Sequence, residues 1–109
     1  MSNSVFVVSE WLPKQGCEQA LWDSFKKLLA TTLENEKGCV RAHVTKQISH
    51  PGATGKSKFT IVLLQEYVDL KAFDVHCASE YVAKAFKELL MNPETCLIED
   101  WRCRLFKEQ

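Results

Sequence analysis

No apolar run in this sequence approaches the roughly 18 residues that a membrane-spanning helix needs. The early run Val5-Phe6-Val7-Val8 is also too short for the core of a secretion signal, and no basic stretch precedes it. The five cysteines, Cys17, Cys39, Cys77, Cys96 and Cys103, contain no C-x-x-C pair, and an odd number closes no disulfide framework. They are expected to be reduced, mostly buried thiols in a cytoplasmic protein. The histidines, His43, His50 and His76, show neither H-x-x-x-H nor H-x-H spacing, so no metal site is expected. Net charge is missing too: 14 Lys+Arg balance 14 Asp+Glu. Nothing in that balance draws the chain to nucleic acid or to an anionic membrane, and little in it opposes self-association. Gly55-Lys56-Ser57 is not a phosphate-binding loop, because the first glycine of that motif is replaced by His50. Internal repeats, linkers and low-complexity tracts are absent.

What remains is ordinary globular material, with 109 residues, 46% hydrophobic and 26% charged. That length suits one domain, 1–109, with a core that needs neither disulfide nor metal. Residues 4–11 are β-branched and aromatic and read as a strand, closed by Pro13 and Gly16. Over 17–36 the period changes: Leu21, Phe25, Leu28, Leu29 and Thr32 share one helical face, with Lys26, Lys27, Glu34 and Glu36 off it. Gly38 stands where a helix C-cap favours positive φ. A strand over 39–48 points Arg41 and His43 one way, and the turn formers of 49–57 then read as an exposed hairpin loop. The strand over 58–67 is apolar on both faces, with Phe59, Ile61, Leu63 and Tyr67 opposed to Val62 and Leu64.

Asp69 is expected to cap a short helix ending near Cys77, and Ser79 to cap another over 80–91, which Asn92-Pro93 stops. A last strand covers 96–106. The order is β-α-β-β-α-β, with its second helix broken in two. Its simplest packing is an α+β, ferredoxin-like, four-stranded antiparallel sheet with helices on one face. The other face would still carry Val, Leu and Trp side chains. Leaving it wet costs about 25 cal/mol for each apolar square ångström, so a second copy of the chain is expected to cover it. Rival domains of this order are disfavoured: an RNA-recognition module wants exposed aromatics on the third strand, and a metallochaperone wants C-x-x-C.

Gly38-Cys39-Val40-Arg41, then Phe59 through Glu66-Tyr67, then Ala72-Phe73-Asp74-Val75-His76-Cys77-Ala78-Ser79-Glu80-Tyr81 together resemble the antibiotic-biosynthesis-monooxygenase family. The resemblance covers roughly residues 4–106. It implies a dimeric α+β barrel with a pocket in each subunit between helices and sheet. It also implies small-molecule chemistry, often the cofactor-free oxidation of aromatic quinols by oxygen. In the haem-degrading branch the axial histidine falls seven residues after the helix-break serine. Counted from Ser79 that is Phe86, which cannot ligate iron. That branch also has Trp where this chain has His76, whereas the non-haem branches have His.

His76 is therefore the expected base, acting on a phenol or carbon acid. The plainer reading is a histidine that caps the broken helix or bonds a backbone carbonyl. Glu66, an acid among Val62 and Leu64, is expected to face the same pocket and pair with His76 or Arg41, or to sit at a solvated strand end. Arg41 is a candidate for an anionic substrate group, against a structural salt bridge to Glu66 or Glu99. His43 is a candidate second base, against a solvent-facing or interface position. Tyr67, Phe73, Tyr81, Phe86 and Trp101 are candidates for an aromatic lining, against plain core or interface. The expected function is a cofactor-independent monooxygenase of a small aromatic or quinol-type molecule. The alternatives are a non-redox isomerase of a small oxygenated metabolite and a non-catalytic ligand-binding dimer.

Overall fold

The structure, a computed structural model, describes residues 3–108. Its elements run β1 (Val5–Pro13), α1 (Glu18–Asn35), β2 (Cys39–Lys46), β3 (Ile61–Tyr67), α2 (Leu70–Ala78), α3 (Glu80–Phe86), a π-helical turn (Lys87–Met91) and β4 (Ile98–Lys107). The four strands form one sheet of order β2-β3-β1-β4, every neighbouring pair antiparallel. This is the ferredoxin-like α+β arrangement that the element order implies.

Strand alternation decides what each face of the sheet carries. Val5, Val7, Ser9 and Trp11 of β1 pair with Tyr67, Gln65, Leu63 and Ile61 of β3, and all eight are buried beneath the helices. Against them α1 sets Leu21, Phe25, Leu29 and Thr32, spaced four, four and three residues apart along one stripe. Trp11, Leu21, Phe25, Leu29, Ile61, Leu63 and Ile98 make the main core, and Val5, Val7, Cys39 and Tyr67 a second cluster under α2.

The opposite face is bare. Phe6, Val8, Val62, Leu64 and Phe106 lie on it, with Leu64 and Phe106 exposed. Glu10 sits among them, held by Arg102 at 2.8 and 3.1 Å and by Arg104 at 2.6 Å. The third strand is thus apolar on both sides, as its pattern requires. The expected tryptophan is not on the bare face: Trp101 pairs across from Trp11 and stacks on it, ring centroids 4.9 Å apart, on the helix side.

Several local expectations change. β3 begins at Ile61 rather than 58, because β2 ends at Lys46 and the ladder closes at Lys46–Ile61. Gln47 then ties off the hairpin by exchanging side-chain hydrogen bonds with the backbone of Ser57, both 2.8 Å. β4 begins at Ile98 rather than 96, since the N–H groups of Cys96 and Leu97 go to the carbonyls of Asn92 and Leu89. Asp69 caps α2 as expected, its side chain accepting from the Ala72 N–H at 2.8 Å. Ser79 precedes α3 but does not cap it with its hydroxyl, which is donated to the Val75 carbonyl at 2.9 Å. Gly38 does not take positive φ, which is confined to Gly16 and Gly55 among the described residues. Its smallness serves close approach instead: a Cβ there would lie 2.5 Å from the Cβ of Ala72. That contact seats α2 against the start of β2.

Candidate active site

Between the helices and the sheet lies a cavity of about 460 Å³, within the usual size of small-ligand sites. Phe25, Leu28 and Leu29 of α1 form one wall, and Trp11, Leu63 and Ile98 the floor. Phe86 and Trp101 close one end, their rings edge to face at 5.4 Å. The chain reaches this shape through the π-helical turn. There the Asn92 N–H bonds the Lys87 carbonyl at 2.8 Å, an i→i+5 step that brings Leu89, Leu90 and Met91 onto the cavity. Such turns recur at functional sites.

Among the described residues no carboxylate, ammonium or guanidinium lines the cavity. Its polar members are Ser9, whose Oγ accepts from the Trp11 ring N–H at 2.9 Å, and Gln65, whose Oε1 accepts from the buried Tyr67 hydroxyl. Its ionisable members are His76, Cys77 and Cys103. Partial desolvation against the apolar wall pushes both thiols up, with Asp74 adding to the effect at Cys77, so both are protonated at neutral pH. The expectation of mostly buried cysteines fails here. Cys39 alone is buried, Cys17 and Cys96 are half-buried, and Cys77 and Cys103 are exposed at the cavity wall.

His76 is 7% exposed and lies against Tyr67 and Phe73, ring centroids 5.3 and 6.2 Å away. Its Nδ1 is 2.9 Å from Oε2 of Glu36, whose side chain is 8% exposed. The Tyr81 hydroxyl donates to the same oxygen and lies 3.0 Å from the Thr32 hydroxyl, which donates to the Leu28 carbonyl at 3.1 Å. Burial, reinforced by that carboxylate, pushes the Tyr81 hydroxyl up to about 12, so it stays a donor. A histidine with one nitrogen fixed by a buried carboxylate presents the other as a defined base.

The carboxylate that meets His76 is Glu36, and Glu66 takes the other expected partner, Arg41. Glu66 shares its strand parity with Val62 and Leu64 and so lies across the sheet from the cavity, 3.4 Å from Arg41. Arg41 and His43 are on that face as well, both exposed. The structural salt bridge foreseen for Arg41 is therefore its observed contact, and these three residues do not meet His76. Phe73, Phe86 and Trp101 line the cavity. Tyr67 packs beneath His76, and Tyr81 reaches the site through Glu36. The helical period places Glu36 off the apolar face of α1, yet it follows the last turn and folds back beneath α2. The legible signal was electrostatic, because a carboxylate at a helix C-terminus opposes the macrodipole and needs another reason to be there. Among the described residues no three His, Cys, Asp or Glu side chains converge as a metal site would require.

No curated protein matches the sequence. Solved structures match its fold. Protein SO0527 from Shewanella oneidensis is 24% identical with TM-score 0.75, over 97% of this chain and 91% of that one. A Bacteroides fragilis protein described as dimeric, ferredoxin-like and of unknown function is 15% identical with TM-score 0.73, over 98% of each chain. A Caulobacter crescentus protein named as a candidate antibiotic biosynthesis monooxygenase is 16% identical with TM-score 0.77, over 99% of this chain and 92% of that one. The family profile for antibiotic biosynthesis monooxygenases matches residues 4–88, and the chain belongs to that family.

Proposed function

We propose that the protein is a monooxygenase of a small, uncharged phenol or quinol, with His76 as the base and molecular oxygen as the oxidant. The observation that carries this reading is the placement of one carboxylate-held imidazole in the wall of an otherwise apolar, aromatic-ended cavity. A flat ring fits between the Phe86–Trp101 end and His76. With Nδ1 committed to Glu36, Nε2 takes the phenolic proton. The ring anion passes electrons to oxygen and forms a carbon–oxygen bond. Loss of the C–H proton with cleavage of the O–O bond then leaves a carbonyl, so that a phenol and O2 give a quinone and water. In this scheme the protein deprotonates, orients and excludes water, and oxygen reacts directly with the anion.

The lack of any cationic side chain at the cavity argues against a phosphorylated substrate. The bare sheet face supports a homodimer, since Leu64 and Phe106 stand exposed there beside Phe6, Val8 and Val62. Oxygen uptake with a panel of naphthols and naphthoquinols tests the activity. Turnover by the wild type, lowered about 10²- to 10⁴-fold by His76→Ala, is expected. Conversion without oxygen uptake would favour the isomerase, and binding without conversion the ligand-binding dimer.

A further inference from the structure

Glu36 belongs to two places at once. Its Oε2 holds His76 at the cavity, while its side chain also lines a separate groove on the outside of the molecule, between the end of α1 and the face of α2. Asn35, Lys37, Gly38, Lys71 and Val75 share that groove. The second carboxylate oxygen, Oε1, is buried and makes no hydrogen bond to the protein. A buried carboxylate oxygen without a protein partner is costly, and a water reaching it from the groove satisfies it.

We propose that Glu36 joins His76 to solvent through this groove, giving protons a route into and out of the cavity that avoids its mouth. The proposal rests on His76 exchanging protons with whatever occupies the cavity. Once an apolar ring fills that space, nothing else on the wall can pass a proton on. No carboxylate or ammonium lines the wall, and the thiols of Cys77 and Cys103 are held protonated. On the Glu36 side the proton moves from Nδ1 to the carboxylate and from the carboxyl to water in the groove. The reverse sequence returns it, with no net change of charge.

The other titratable groups around Glu36 do not offer that exit. Tyr81 from α3 keeps its proton, pushed up to about 12. Tyr67 from β3 and Cys39 from β2 are buried, with the carboxylate adding to the upward shift that burial imposes on each. Asp69, the N-cap of α2, lines the groove itself, with its Oδ1 accepting from the Ala72 N–H. Lys37 and Lys71 flank the groove.

The test is the rate at which the His76 ring proton exchanges with water, followed by NMR on the whole protein without substrate. Val75 is 57% exposed, so Val75→Trp fills the groove without touching the cavity. Exchange is expected to slow by about tenfold or more, because it must then wait for local opening. Lys71→Trp is the second variant, should the first not fold. Naphthalene added as a cavity plug is expected to leave the wild-type rate unchanged. An unchanged rate in the folded groove variants overturns the route, as does a wild-type rate that naphthalene suppresses. No turnover enters this measurement, so a protein that oxidises no phenol can pass it and an active enzyme can fail it.

Discussion

A methyl group at position 38 should disable the site from outside it. The added Cβ of Gly38→Ala would sit 2.5 Å from the Ala72 Cβ, where ordinary contact begins at 3.4 Å. The start of β2 and the first turn of α2 must therefore part by about 1 Å, the kind of overpacking that costs about 1–3 kcal/mol. In a chain of this size that lowers Tm by about 5–15 °C. The same shift moves His76, one helical turn along α2, away from Glu36. Their 2.9 Å contact has little slack, because such bonds fade beyond about 3.2 Å. A displacement of this order can cost about 10²-fold in rate. Thermal melts and NMR of the His76 ring proton read the two effects. Two companions isolate the cause. Gly16→Ala has no atom within 4 Å of its added Cβ and pays only for its φ of +79°, about 1 kcal/mol, with the His76 signal unmoved. Ala72→Gly placed in the Gly38→Ala background removes the colliding methyl and should restore the His76 signal, despite losing about 1 kcal/mol of helix propensity. A Gly38→Ala protein with wild-type Tm and an undisturbed ring proton would refute the reasoning.

Other consequences follow from the same contacts. Glu36→Gln should lower turnover by about tenfold, about 1.4 kcal/mol of barrier, whereas Arg41→Ala, across the sheet, should leave it unchanged in steady-state assays. Hydrogen bonds from Arg102 hold the Glu10 carboxyl below its ordinary value. Its stabilisation is therefore complete above about pH 4.5 and is lost as pH falls through the lower folded value. Urea melts of Glu10→Gln should show a shallower acid loss than wild type. Tyr81 has the opposite sign: stability is held below its ordinary value near 10 and lost as pH rises toward about 12, so Tyr81→Phe should flatten that alkaline decline.

The strands were legible from β-branched and aromatic runs between turn formers, and α1 and the broken second helix from their apolar stripes and the residues placed to cap them. Leu21, Phe25, Leu29 and Thr32 fall on the face that the pattern names, and Asp69 caps where its chemistry requires. Of the residues that the sequence proposes for a site, the fold brings His76, Phe73, Phe86 and Trp101 to one cavity. Glu66 was misplaced although parity alone sets it beside Val62 and Leu64 and away from Tyr67. Glu36 was hidden because a helical wheel treats a residue past the last turn as still on the helix, whereas the chain there has left it, with φ −114°. The volume of the cavity was beyond reach for a different reason. It depends on a five-residue π-turn, whose i→i+5 bonding the apolar stripe of 80–91 does not distinguish from an ordinary helix. Gly38 shows the same ambiguity at one residue, because a glycine after a helix fits both a positive φ and a close approach, and the choice lies with Ala72.

Chemistry at His76 requires the substrate to bind on the helix-covered face of the sheet. The most direct measurement is an anaerobic titration with 1,4-naphthoquinol, following the ring signals of His76 and His43 together. Saturable movement of His76 with His43 unmoved is the predicted result. Movement of His43 with a silent His76 would place binding on the bare face and contradict the cavity as the site.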